Sequence, residues 1–97
     1  MARLTFAPLA EADLTEILEF IARDKPRAAE RWVQRIRNTC EQLAKHPEIG
    51  ERRPEFKKGE VRSSLVGKYV IFYRTISGGI EIARIVRGER DLRTLGD

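Results

Sequence analysis

The chain has 97 residues, 41% of them hydrophobic and 35% charged, with a formal net charge of +4 and a sequence pI near 9.6. That length and balance suit one globular domain, residues 1–97, and exclude a disordered or fibrous chain. The longest apolar or aromatic run, Tyr69 to Tyr73, is far too short to cross a bilayer. Pro8, Glu11 and Asp13 interrupt the opening apolar patch, so no secretory leader is expected. Cys40 has no partner for a disulfide, which fits a reducing, cytoplasmic setting.

Arg3 to Ala7 reads as a short strand, ended by Pro8, which also suits the first turn of a helix. From Leu9 to about Arg23, apolar residues at 14, 17, 18 and 21 give the stripe of an amphipathic helix. Asp24-Lys25-Pro26 breaks it. A second helix is expected from Pro26 to Lys45, with Ala29, Trp32, Val33, Ile36, Cys40, Leu43 and Ala44 on its core face. Cys40 is then a small buried hydrophobe rather than a nucleophile, and Trp32 and Ile36 should face Leu14, Ile17 or Leu18 and the sheet. Residues 9–24 hold five acids and one Arg, and residues 25–45 hold six bases and two acids. Opposite charges on adjacent segments favour an antiparallel helical hairpin.

His46-Pro47 ends the second helix, and residues 47–60 read as an irregular surface loop. Three strands follow, Val61–Val66, Tyr69–Ile76 and Ile80–Val86, joined by tight turns at Gly67-Lys68 and Ser77-Gly78-Gly79. The order is β-α-α-β-β-β, an α+β architecture in which a helical hairpin packs on one face of a twisted, mainly antiparallel sheet. Arg3–Ala7 is expected at a sheet edge. The middle strand is apolar on both faces, yet no further element remains to cover the second face, so that face is expected to be an exposed partner surface.

Several short motifs together resemble the ParE branch of the RelE/ParE toxin superfamily along almost the whole chain. They are Ala12-Asp13-Leu14 with Ile17 in the first helix, His46-Pro47-Glu48-Ile49-Gly50, Val61-Arg62, Gly67 through Arg74, and Gly88-Glu89-Arg90-Asp91-Leu92. The His that the family usually carries before that last Gly is Arg87 here, which removes a group titrating near neutrality. The resemblance implies the toxin of a type II toxin–antitoxin (plasmid stabilisation) system, neutralised by a ParD-like antitoxin. It also implies DNA gyrase as the target, inhibited by protein contact rather than by catalysis.

The runner-up is a RelE-like, ribosome-dependent mRNA endoribonuclease. That chemistry needs a base for the 2′-hydroxyl, an acid for the leaving oxygen, and cations on the phosphate. Arg62, Arg74, Arg84, Arg87 and Arg90 supply cations, and together they are the candidate partner-binding residues. Proton-transfer groups are scarcer: Tyr69, Tyr73, Glu81, Glu89 and Asp91 are the candidates, and after Arg74 the chain has no His, Tyr or Lys. This favours the non-catalytic reading. One His and one Cys do not make a metal site, so neither metal nor cofactor is expected. A third reading, a DNA-binding module, draws on Arg27, Arg31 and Arg35, which share one face of the second helix. The acidic first helix could lie against that face, and no DNA-binding motif is present, so no sequence-specific contact with nucleic acid is expected.

Overall fold

The computed structural model describes residues 2–56 and 60–88. The elements in order are β1 (Arg3–Phe6), α1 (Pro8–Ala22), α2 (Pro26–Lys45), a 3-10 turn (Pro47–Ile49), β2 (Glu51–Arg52), β3 (Val61–Val66), β4 (Tyr69–Ile76) and β5 (Gly79–Arg87). Both helices begin on proline, where the missing N–H has no intrahelical partner to lose. The five strands form one sheet in the order β1-β5-β4-β3-β2. Only the β1–β5 pair is parallel. The α+β fold with two helices on a mainly antiparallel sheet is thus as the sequence implied. Residues 47–52 hold more order than expected, because a two-residue strand and a single 3-10 turn are too short to show a periodicity.

The main core lies between the helices and one sheet face. Ile36, Cys40, Ile71, Tyr73, Ile80 and Ile82 are wholly buried, each large aliphatic contributing about 1.5–3 kcal/mol by leaving water. On α2 the expected stripe is the buried one: Ala29, Ile36, Cys40, Leu43 and Ala44, with Trp32 and Val33 at its margins. Trp32 meets the sheet, as anticipated. Its ring meets Tyr69 edge-on at 5.8 Å and rests against Gly67, where an added Cβ would collide with it. Val33 takes the α1 side, beside Leu14 and Leu18.

Helix α1 is rotated from its expected setting. Ala10, Asp13 and Leu14 are buried, while Leu18 is 37% exposed. The oppositely charged helices are not joined by ion pairs among the described residues, and the one that α1 makes, Asp13–Arg84, runs to the sheet.

The second sheet face is not bare, which corrects the expectation from the sequence. Val61, Val70 and Phe72 form a small buried cluster with Val86 and Phe56. The Phe56 ring meets Phe72 edge-on at 5.3 Å, and the Arg53 guanidinium lies 5.8 Å above the same ring. Phe56, from the segment that follows β2, thus covers part of this face.

Among the described residues, the turn glycines with positive φ are Gly67 (57°) and Gly78 (80°). Gly79 serves another purpose: a Cβ there would run into the Arg3 carbonyl, so its bareness lets β1 approach the start of β5.

Candidate functional site

β1 accompanies β5 only as far as Ile82, opposite Phe6. Ala7 donates its N–H to the Ile82 carbonyl, and Pro8 then carries the chain into α1. The pairing of β5 with β4 slips at the same point: Tyr73 lies opposite Ile82 but Phe72 lies opposite Arg84, leaving Ala83 as a bulge. Beyond the bulge, the outer edge of β5 meets a side chain of α1 rather than a strand. Asp13 Oδ2 accepts the Ile85 N–H at 2.8 Å and Arg84 Nε at 2.9 Å, and Oδ1 accepts Arg84 Nη2 at 3.1 Å. Asp13 is 8% exposed, and three donors, one a charged fork, offset the cost of burying its carboxylate.

Above this clamp lies an open groove of about 460 Å³. Glu16, Ile17, Glu19 and Phe20 of α1, with Arg23 at its C-terminal end, form one wall, and Tyr69 with Arg84, Ile85, Val86 and Arg87 forms the other. Phe20 is 60% exposed, an apolar anchor among charges of both signs. Such a groove suits an amphipathic protein segment better than a small polar substrate.

The arginines singled out in the sequence do not converge as a set. Arg84 and Arg87 share the groove. Arg62 lies on β3, across β4 from β5. Its Nη1 donates to the carbonyls of Glu48 at 3.1 Å and Gly50 at 2.9 Å, so it ties down the link after α2. Arg74 forms a cross-strand pair with Glu81, 3.7 Å apart. Arg90 lies outside the described residues.

The proton-transfer candidates are similarly occupied. Tyr73 is wholly buried. Its hydroxyl donates to the Pro47 carbonyl at 2.7 Å and accepts the Gly50 N–H at 2.9 Å, and a Cβ on Gly50 would strike it. Burial pushes the phenol pKa up, and the Gly50 N–H only partly opposes this. Tyr69 is buried under Trp32 at the groove floor, and Glu81 faces Arg74. Glu89 and Asp91 lie outside the described residues. The Cys40 thiol is buried at the centre of the core, where desolvation pushes its pKa up to about 12. No group of His, Cys, Asp or Glu among the described residues could hold a metal ion, and none of their helices is long and apolar enough to cross a membrane.

Neither Asp13 nor Phe20 is among the site residues expected from the sequence. A signal for Asp13 was present: it sits three residues after Ala10 and four before Ile17, on the apolar stripe itself, where an acid needs partners.

A family model described as the ParE toxin of the type II toxin–antitoxin system, parDE, matches residues 4–92. Two toxins of Caulobacter vibrioides are similar. RelE3 is 32% identical over 85 residues, covering 88% of this chain and 92% of that protein. RelE2 is 33% identical over 90 residues, covering 93% and 99%. Among solved structures, a chain from the chromosomal ParDE system of P. aeruginosa superimposes with a TM-score of 0.75 at 28% identity, over 90% of this chain and 96% of that one. The chain belongs to the ParE toxin family: it is a toxin of the ParE/RelE type from a type II toxin–antitoxin system.

Proposed function

We propose that this toxin acts without catalysis, by binding DNA gyrase in the cytoplasm, and that a ParD-like antitoxin neutralises it by seating an amphipathic segment in the groove between α1 and β5. The observation that carries the non-catalytic reading is the state of Tyr73 and Arg62. A ribonuclease would need an accessible acid and a cation on the phosphate. Here the phenol is wholly buried and both groups hold the Pro47–Gly50 backbone. The groove supports the antitoxin reading, since Phe20 offers an apolar anchor and Arg84 and Arg87 flank it.

A RelE-like ribosome-dependent endoribonuclease is the second reading, favoured by the names of the two Caulobacter relatives. The test runs purified gyrase supercoiling and DNA cleavage beside ribosome-dependent mRNA cleavage. Inhibited supercoiling with intact mRNA is the expected result. Cut mRNA with an unaffected gyrase would overturn the proposal. Toxicity on induction, rescued by the protein of the adjoining reading frame, tests the antitoxin half.

A further inference from the structure

We propose that the outer ridge of α2, formed by Arg27, Arg31 and Arg35, is a docking surface for the phosphate backbone of duplex DNA, independent of base sequence. All three side chains are exposed. A spacing of four residues places them about 6 Å apart along the helix axis and turns each by only about 40° from the last, so they form one cationic row. α1 does not cover this row. Val33 and Arg37 occupy the flank facing α1, and Glu41 faces Ala2 and Leu4 of the β1 side. Arg31 and Arg35 line a separate depression of about 280 Å³ with Ala28 and Trp32. Among the described residues, neither Arg27 nor Arg31 forms an ion pair.

The row is also partly pre-placed. The Arg35 guanidinium lies 4.9 Å over the Trp32 ring, and that ring is held by Tyr69 and by the Gly67 turn. Less side-chain freedom is then lost on binding. The exposed Lys68 follows Gly67 in that turn, adding a fourth cation at the same end of the molecule.

The chemistry favours a nucleic acid over an acidic protein. Protein interfaces close around a desolvated apolar core, and none of the large exposed hydrophobics, Leu9, Leu18, Phe20, Ile49 and Leu65, lies on α2. A polar, positively charged surface without such a core is what a DNA interface offers. Duplex DNA carries about one negative charge per 1.7 Å of axis, so a row of guanidinium groups set about 6 Å apart faces phosphate charge along its whole length. Phosphate contacts carry no base information. The ridge lies on the flank of α2 turned away from α1, so the inference stands apart from what occupies the groove and from how gyrase is engaged.

The test measures binding of the full chain to a labelled duplex of arbitrary sequence by fluorescence anisotropy across a salt series, without gyrase or antitoxin. Three proteins are compared: the native chain, Arg27→Gln/Arg31→Gln/Arg35→Gln, and the charge-matched Arg3→Gln/Lys45→Gln/Arg52→Gln, whose sites are also exposed. The native chain should bind at low salt. The ridge variant should lose about tenfold or more in affinity, and its slope of log K against log salt should be shallower by about 0.9 for each arginine that meets a phosphate. The control should keep the native slope. Absence of binding at low salt, or equal losses in the two variants, would overturn the proposal. So would tighter binding to polyglutamate than to the duplex, which would give the ridge to an acidic protein.

Discussion

Asp13 and Arg84 lie 71 residues apart in the chain and meet as a two-pronged ion pair at 2.9 and 3.1 Å, while the same carboxylate accepts the Ile85 amide. This one contact locks α1 to β5 where β1 has stopped, and it forms the base of the groove. Asp13→Asn keeps one acceptor for the amide but sets an NH2 group against the guanidinium. With the Arg84 side chain about one-third exposed, the loss is expected at about 2–3 kcal/mol, below that of a fully buried pair. Arg84→Met should cost at least as much, since it strips two of the three donors from the buried Asp13 carboxylate and leaves the Ile85 N–H to hold it. A double-mutant cycle by urea unfolding measures the coupling, and a value near zero would show the pair to be incidental.

Tyr73→Phe removes a hydroxyl that serves two backbone groups of the Pro47–Gly50 link. The buried Gly50 N–H would lose its partner, at an expected cost of about 1–3 kcal/mol. Hydrogen exchange should report it locally: faster exchange at Gly50 with little change in β4. Unchanged protection there would mean that the link is held by Arg62 alone.

Cys40 and Tyr73 both have folded-state pKa values raised by burial. Their neutral forms therefore favour the native state, and this contribution is complete below the unfolded pKa. For Cys40 it is lost as pH rises from the ordinary thiol value of 9.0 toward about 12. Stability is accordingly expected to fall through that window, and Cys40→Ala should flatten part of the decline. Thiol reagents should not label Cys40 in the native protein at pH 8. Rapid labelling under native conditions would contradict its burial.

Phe20→Ser and Arg87→Glu change groove residues, one exposed and one half-buried. Phe20→Ser should leave the thermal midpoint nearly unchanged while weakening antitoxin binding by about tenfold or more, as loss of an aromatic anchor does. Arg87→Glu should act in the same direction. Arg62→Glu, by contrast, should act through stability, because Arg62 holds the Glu48 and Gly50 carbonyls. Calorimetric titration of each variant with the antitoxin, beside its melting curve, separates the two effects.

The helices, the three long strands and their turns were legible in the sequence because each rests on a local period or on a glycine that a turn requires. The α2 stripe and the Gly67 and Gly78 turns are examples. The motifs carried the family as well, since five short patterns in order need no coordinates. What lay beyond local pattern was decided by contacts between distant residues. Phe56 became a cover for Phe72, Asp13 was drawn inward by Arg84, Arg62 was committed to a loop rather than to a surface, and α1 settled on the Val33 side of α2. The physical reason is the same in each case. A single aromatic or charged side chain has no period to read, and whether it faces water or a partner depends on which far-off donor, acceptor or ring the fold brings within reach.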